Sequence, residues 1–445
     1  MPTEQDSVFQ VLRSPEMHEI LRRSRRECLL HKEFLTMPQP SGWSPEETWR
    51  LLKTIRREYS IEIPIPTPQG YRLCYFLHQD LIDRLLDFER YCRPESDLYA
   101  QLADREGQPF LVRIQVEEAI ATNTLDGVSI PYRQAESLIR LERRPKEAGE
   151  RVIVNTYRAM ADIGSYVGER FSPELMWEFY GRIADGVDSA TIVRGPERSP
   201  MARKEYRQLA GRHPERHIAD ICAYANDEIG DPHEHPAIRA FVIRGEMRQW
   251  LPLPDWNGNV ASLLYRLYCL KHQYPVLAYL PFSRVLLDWE EGSIQPPRVI
   301  VGELPPQYVD ENGDEDHTPS ITLVLQLAHQ EILELLNYTK MRKQRDERVL
   351  ASLQNDPSLN HRQRSILSRA IRHPDAEFSI SYHRTNYNVA YATARADLLA
   401  LVEKGYLTQQ KRQKAFVFTP QRGLHTLLRV EGDHRREIET VADRR

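Results

Sequence analysis

The sequence predicts a mainly α-helical protein that ends in a small domain of helices and a β-hairpin. Apolar residues recur at helical spacing, as in 81–88, where one face of a helix would be buried. Ser172, Pro173 and Glu174 form a helix start, with a capping hydroxyl, a proline that needs no amide hydrogen and an acid in the first turn. Near the end of the chain, Gly405 stops a helix and two β-prone runs follow.

The length of 445 residues is enough for two or three domains. No internal repeat and no long low-complexity tract divides the chain. We therefore expect an N-terminal helical extension (1–70), a helical core domain (71–350), a C-terminal domain (355–430) and a tail (431–445).

The composition, 41% hydrophobic and 28% charged, is that of a globular protein. No segment approaches 18 consecutive apolar residues, and residues 1–30 alternate charges with short apolar runs. We therefore expect a cytoplasmic protein without a membrane span or secretion signal. The five cysteines lie far apart without a CxxC pair, which argues against a zinc ribbon or a disulfide scaffold.

Charge is distributed unevenly along the chain. The formal net charge is −4, yet residues 341–445 contain 20 Lys and Arg against 12 Asp and Glu. Only this C-terminal part therefore has a charge suited to binding a polyanion such as DNA.

The core domain should be built around two consecutive helices, Pro236–Trp250 and Asn259–Lys271, joined by the short turn Leu251–Gly258. The acidic run Val309–Asp316 predicts a surface loop, because it is rich in turn-forming residues. Beyond this loop, Ser320–Arg348 has the pattern of one long helix that becomes basic at its end.

The C-terminal domain follows the order of a winged helix-turn-helix, three helices and then a basic hairpin. The helices are predicted at Gln363–Ile371, 378–388 and Ala390–Lys404, and the strands at Tyr406-Leu407 and Ala415–Phe418, joined by the basic turn Thr408–Lys414.

Two groups of polar side chains in this domain are candidates for contacting double-stranded DNA. Those early in the third helix suit base edges or phosphates, and those in the hairpin suit the DNA backbone. They are Tyr391, Thr393 and Arg395, and Lys411, Arg412 and Lys414 respectively. The alternative is that the domain only packs against the rest of the chain or against a second copy in a homodimer.

The turn between the two core helices resembles the signature of the Fic (Fido) family, HPFx(D/E)GNGRxxR. Pro252, Asp255, Asn257 and Gly258 match this pattern in register. The preceding helix, and the helix before the target-binding flap, also resemble the family. The resemblance implies a Fic-like helical core, for which the family activity is AMP transfer to protein hydroxyls with magnesium. It also implies a bacterial arrangement in which a winged helix follows the Fic domain.

Four positions of the signature that serve its chemistry depart from the family pattern. Leu251 stands where the family has its general base, a histidine, and leucine cannot accept a proton. Asn259 and Ser262 stand where two arginines would contact the nucleotide phosphates. Trp256 replaces a glycine whose bare backbone lets phosphate approach. We therefore expect no catalytic residue in this turn.

Asp255 remains, at the position of the family's magnesium-contacting acid, together with Asn257 and Gly258 at a helix N-terminus. These residues could hold magnesium and a nucleotide weakly. The alternative is that they only form a well-capped turn between two helices.

Residues 117–127 resemble the family's inhibitory helix motif, (S/T)xxxE(G/N), at Thr122, Asp126 and Gly127. The resemblance implies that this acid pairs with the second motif arginine. Here Asp126 would face Ser262, so the ion pair cannot form. We expect the segment to persist as packing, with Thr122 and Asp126 capping the helix end.

The sequence thus favours a degenerate Fic-like protein that acts as a regulatory or DNA-associated binding module. One alternative is a divergent transferase that uses another donor or a relocated base, for which His272 and Tyr274 are candidates. The other is a protein-binding scaffold that pairs with an extended peptide at the flap, which would include Gly195-Pro196 and Arg203–Arg212.

Overall fold

The computed structural model describes residues 4–66, 72–104, 108–128, 130–140, 143–188, 214–250, 252–292, 315–373, 376–412 and 415–428. The protein is mainly α-helical, as the sequence predicts. It divides into two compact units, Met1–Leu335 and Leu336–Arg445, and the division falls within one long helix. Among the described residues, no helix is long and apolar enough to cross a membrane.

The first unit contains fifteen helices before the long helix that enters the second unit. They are α1 (Glu4–Leu12), α2 (Pro15–Arg26), α3 (His31–Phe34), α4 (Pro45–Arg57), α5 (Gln79–Cys92), α6 (Asp97–Ala103), α7 (Gln108–Leu125), α8 (Tyr132–Arg140), α9 (Ala148–Ala161), α10 (Pro173–Ala184), α11 (Pro214–Ala225), α12 (Pro236–Trp250), α13 (Asn257–Lys271), α14 (Pro275–Tyr279) and α15 (Phe282–Glu290), counted over the described residues. The long helix α16 is Thr318–Asn355. The predicted end at residue 348 is therefore short by seven residues.

A three-stranded sheet accompanies these helices, in the order β1 (Ser60–Ile63), β2 (Leu73–Phe76) and β3 (Glu315–Asp316). Strands β1 and β2 are antiparallel, and β2 and β3 are parallel. The sequence analysis missed this sheet because its strands are only two to four residues long.

Helix α13 is the centre of the first unit. Every residue from Asn257 to Cys269 is buried. The helix packs against α12 along its length and also contacts α7, α9 and α10. A helix that is surrounded in this way has no solvent face, so polar side chains on it must find partners inside the protein.

The second unit consists of α17 (His361–Arg372), β4 (Phe378–Ser379), α18 (Ile380–Tyr387), α19 (Tyr391–Glu403), β5 (Leu407–Arg412), β6 (Ala415–Pro420) and α20 (Leu424–Leu427). The three strands form an antiparallel sheet in the order β4-β6-β5. Leu367, Leu398, Leu401 and Phe418 are fully buried in its core.

Two sequence predictions for this unit need correction. Residues 408–412 were predicted as part of a turn, but they pair with β6 as strand β5, with Lys411 opposite Phe416. Strand β4 was assigned to the start of the second helix, because a two-residue strand leaves no periodicity to recognise. The three predicted helices are present, at slightly different bounds.

Stability should fall in mild acid because of buried His78. Its Nε2 lies 3.0 Å from the Thr322 hydroxyl, and burial lowers the pKa of this imidazole to about 3. The unfolded chain therefore takes up a proton near pH 6.5 while the folded one does not, so stability is lost as the pH falls below 6.5. We expect His78 alone to cost about 2 kcal/mol between pH 7.5 and pH 5.

Urea unfolding of the wild type and of His78→Gln at both pH values checks this expectation. Glutamine keeps an amide that can bond Thr322 and does not titrate. The acid-induced loss should be smaller in the variant by the amount given above, whereas equal losses in the two proteins would contradict the assignment. Burial also lowers the pKa of His217, to about 4, so both proteins will retain some acid sensitivity.

Candidate functional site

The candidate site is the turn between α12 and α13, together with the C-terminal end of α7, which packs against it. Leu251, which stands at the position of the family's general base, lies outside the described residues. The structure describes the turn from Pro252 onward.

Trp256, the residue before α13, has a backbone φ of +57°, which is a left-handed conformation. Glycine adopts this conformation without strain, whereas an aromatic residue does so only when its surroundings hold it. The tryptophan side chain is buried, with 3% of its surface exposed. The turn thus keeps a backbone shape suited to glycine, while an indole ring occupies space that glycine would leave open.

Asn257 closes the turn on itself. Its side-chain oxygen accepts from the backbone N–H of Leu253 at 2.9 Å, and its Nδ2 donates to the Leu253 carbonyl at 2.9 Å. Both polar ends of the amide are therefore used within the turn. This pairing favours the structural alternative for Asn257 over a role in binding phosphate.

Two charged groups lie against Gly258. A methyl group on this residue would overlap the Asp126 carboxylate and the Arg248 guanidinium. Asp126 Oδ1 also lies 3.9 Å from Arg248 Nη1. The positive end of a helix favours an anion over its first turn. In this protein the carboxylate of Asp126 is seated against that turn.

Asn259 belongs to a buried network of amides and hydroxyls. Its Nδ2 donates to Asp126 Oδ2 at 3.1 Å and to Asn123 Oδ1 at 3.3 Å, while its Oδ1 accepts from the Thr156 hydroxyl at 3.1 Å. Asn123, Thr156 and Asn259 are all fully buried. Asn259 thus bonds through both ends of its amide, and its neutral side chain is bonded to the carboxylate of Asp126.

Ser262 has a different acidic partner from the one predicted. Its hydroxyl donates to Glu118 Oε1 at 2.9 Å, not to Asp126. Glu118 also accepts from the backbone N–H of Ser283 at 2.7 Å and from the Ser283 hydroxyl at 2.8 Å. The prediction that Asp126 faces Ser262 is therefore wrong, since Asp126 lies about two turns beyond Glu118, just past the end of α7, and reaches Asn259.

The C-terminal end of α7 differs in part from the predicted capping arrangement. Gly127, with a φ of +84°, follows the helix, and the Val128 N–H bonds the Asn123 carbonyl. The capping role predicted for Thr122 is wrong, because its buried hydroxyl has no hydrogen-bond partner among the described residues. Glu118, Thr122 and Asp126 follow one another at intervals of four, so all three lie on the face of α7 that meets α13.

Glu118 and Arg248 were not predicted as site residues. The spacing of four between Glu118 and Thr122 could have identified the first residue, because it places both on one helix face. No local pattern could have identified Arg248, whose contact with Asp126 depends on how α12 packs.

Asp255, the candidate magnesium ligand, is partly exposed at the turn. In the described part of the chain, no group of three or more His, Cys, Asp or Glu could hold a metal ion. Magnesium takes six oxygen ligands and relies on substrate phosphates where the protein supplies only one or two carboxylates. Because Asp126 is seated over the first turn of α13, the site does not fit a nucleotide with its magnesium ion.

His272 and Tyr274 cannot replace the missing base at this turn. They follow the last residue of α13, whose 15 residues span about 22 Å. Tyr274 donates to Glu89, and His272 stacks on Tyr268 with ring centroids 4.1 Å apart. The suggestion of a relocated base at these two residues is therefore wrong.

The candidate DNA contacts of the second unit are partly described. Tyr391, Thr393 and Arg395 are exposed at the start of α19, and Lys411 is exposed on β5. The Arg412 side chain and Lys414 lie outside the described residues, as do Gly195-Pro196 and Arg203–Arg212 of the predicted flap.

A buried carboxylate holds the helices of this unit together. Asp397, on α19, accepts from Arg362 Nε at 2.6 Å and from the Asn360 side chain at 2.7 Å. The His383 ring on α18 lies 3.1 Å from the same carboxylate. One side of α19 is therefore fixed against α17 and α18, while Tyr391, Thr393 and Arg395 near its start stay exposed.

The chain is similar to solved structures of Fic proteins at low sequence identity. A Fic family protein from Desulfovibrio desulfuricans G20 is 15% identical, with a TM-score of 0.44, over 78% of this chain and 97% of that chain. Fic-1 from C. elegans is 12% identical, with a TM-score of 0.37, over 77% of this chain and 94% of that chain. A variant of Fic-1 is 14% identical, also with a TM-score of 0.37, over 66% and 75%. No protein-family model and no curated protein matches the chain.

Proposed function

We propose that this chain is a Fic-like protein that does not transfer nucleotides and that acts as a DNA-associated regulatory module. The observation that carries the first half of this proposal is the position of Asp126. Its carboxylate is seated at Gly258, on the first turn of α13, where the family signature implies that nucleotide phosphate would bind.

The charges around the turn support the loss of nucleotide binding. A phosphate at this position would meet the Asp126 carboxylate, and two like charges 4 Å apart repel by about 4 kcal/mol near a protein surface. Asn259 and Ser262 carry no charge to offset this repulsion, and both side chains already have partners. The Arg248 guanidinium, which also lies against Gly258, is paired with the Asp126 carboxylate itself. Leu251 supplies no proton acceptor. Losing a general base alone costs roughly 10²–10⁴-fold in rate.

A labelling assay tests this half of the proposal. The purified full-length chain is incubated with magnesium and labelled ATP, GTP, CTP or UTP, alone and with a cell lysate. We expect no label on the protein or on a lysate target. Labelling that disappears in Asp255→Ala but persists in Asp104→Ala, an exposed control, would instead show the divergent transferase.

The second unit supports the DNA-associated part. Its element order is helix, strand, helix, helix and two strands, with the first strand pairing with the last, as in a winged helix. The first turn of α19, where such domains contact the major groove, exposes Tyr391, Thr393 and Arg395. Lys411 adds an exposed cation on the hairpin. These side chains suit phosphates and base edges.

Binding of a mixed-sequence duplex should therefore depend on Arg395 and on salt. We expect the affinity of the full-length chain to fall steeply with added salt, because cations released from DNA drive the association. Arg395→Ala should weaken binding and lower the salt slope by about one ion.

Lys404→Ala, beyond the opposite end of α19, is the matched control and should bind as the wild type does. Fluorescence anisotropy at several salt concentrations measures both effects. If no salt-dependent binding is seen, or if both variants weaken it equally, the unit is a packing domain and not a DNA-binding one.

A further inference from the structure

Two buried arginines lie deeper in the first unit than the turn. Arg244 on α12 is 3% exposed, and Arg266 on α13 is 1% exposed. Arginine stays charged at all pH values at which proteins fold, so each residue buries a full positive charge. Burial lowers the pKa of both guanidinium groups, that of Arg244 to about 10, which leaves them protonated at neutral pH.

Glu118 is the carboxylate that acts on both arginines, and it accepts its hydrogen bonds from other donors. Glu118 is 1% exposed and accepts three hydrogen bonds, from Ser262 and from the backbone and side chain of Ser283. It attracts both guanidinium groups electrostatically, but neither one forms an ion pair with it within 4.0 Å in the described structure. Arg248 and Asp126 also act on Arg244, but they are an ion pair of opposite charges, so Arg244, Arg266 and Glu118 leave one positive charge in excess.

Several donors in this region lack an acceptor. Both terminal nitrogens of Arg266, and Nε of Arg244, are buried without a hydrogen-bond partner among the described residues. Arg244 does donate one hydrogen bond, from Nη2 to the Ser283 hydroxyl at 2.7 Å. Buried polar atoms in native proteins are almost always bonded, and exceptions mark an ordered water or ion. Burying a charge without a counter-charge costs more free energy than burying a neutral polar group without a hydrogen bond.

We propose that Arg266 binds a small monovalent inorganic anion, such as chloride, inside the first unit. The anion would accept from the two terminal nitrogens of Arg266 and would balance the excess positive charge of the Arg244, Arg266 and Glu118 cluster. A monovalent ion suits a net charge of one, and its small size suits a site enclosed by helices. This site is distinct from the turn at Gly258, so it does not depend on the proposed function.

Thermal unfolding of the full-length chain tests this inference. Sodium chloride is exchanged stepwise for sodium gluconate at constant ionic strength, so that only the identity of the anion changes. An anion that binds only the folded protein raises its stability with concentration. The unfolding midpoint should therefore rise steadily with chloride, and Arg266→Met should abolish this rise. Arg216→Met, which removes an arginine that is 79% exposed, should leave the rise intact.

A flat midpoint in the wild type, or an equal rise in Arg266→Met, would overturn the inference. If Arg266→Met does not fold, crystals of the wild type grown in sodium bromide give the answer. Anomalous scattering should place a bromide ion within hydrogen-bond distance of the Arg266 terminal nitrogens. A refined structure with water molecules or no density at these nitrogens would refute the site.

Discussion

Replacing Glu118 with leucine should destabilise the first unit by about 3–5 kcal/mol, because it removes the carboxylate that attracts both Arg244 and Arg266. The Ser262 hydroxyl and the Ser283 N–H would lose their acceptor at the same time. A loss of this size is a large part of the total stability of a domain. Chemical unfolding, with the midpoint and the slope fitted separately, measures it.

Two further variants separate charge from hydrogen bonding at this position. Glu118→Gln keeps an acceptor oxygen of similar shape and should lose less than Glu118→Leu. Glu178→Leu removes an exposed glutamate and should change the unfolding free energy little. A Glu118→Leu protein as stable as Glu178→Leu would mean that the buried arginines do not need this carboxylate.

Replacing Asn259 with leucine should cost about 3–5 kcal/mol, because two buried partners and one partly buried carboxylate lose a hydrogen bond at once. These partners are the Thr156 hydroxyl, the Asn123 amide oxygen and the Asp126 carboxylate. The volume of the side chain hardly changes, so the loss reports unsatisfied polar groups and not a cavity.

Asn155→Leu is the matched control for this prediction. The amide of Asn155 also donates two hydrogen bonds, to the carbonyls of Ile183 and Asp185, but it is only half-buried. Water can replace its lost contacts, so a clearly smaller destabilisation is expected. Equal losses in the two variants would show that burial of the Asn259 network adds nothing to its strength.

The sequence was informative where a segment determines its own structure. Helix α12 was predicted with its exact bounds, and α13 was predicted to begin two residues late, at Asn259. Proline starts and helical periodicity act over a few residues, so one segment is enough to reveal them. The left-handed Trp256 hid the true start, because tryptophan gives no sign that it will precede a helix.

The partners of the site could not be predicted in the same way. Asp126 was assigned to Ser262 on the basis of the family pattern, but the packing of α7 brings it to Asn259 and Gly258 instead. One helical turn separates the two arrangements, and the sequence of α7 fits either. Arg244 and Arg266 drew no attention, because an arginine within an amphipathic segment is usually at the surface.

The contacts of Asp126 change the explanation that we propose for a turn without nucleotidyl-transfer activity. The sequence alone suggested an inhibitory helix whose acid, Asp126, has no arginine to pair with and remains only as a packing residue. In the structure the same carboxylate lies against Gly258, where the resemblance implies that phosphate would bind, and it is hydrogen-bonded to Asn259. The absence of the two motif arginines and the position of the Asp126 carboxylate therefore both disfavour phosphate binding at this turn.

The most direct test of this account is a crystal structure of the protein grown with ATP and magnesium. We predict the Asp126 carboxylate against Gly258, hydrogen-bonded to Asn259, with no phosphate over the first turn of α13. A triphosphate ordered on that turn, with Asp126 displaced and magnesium on Asp255, would contradict the account.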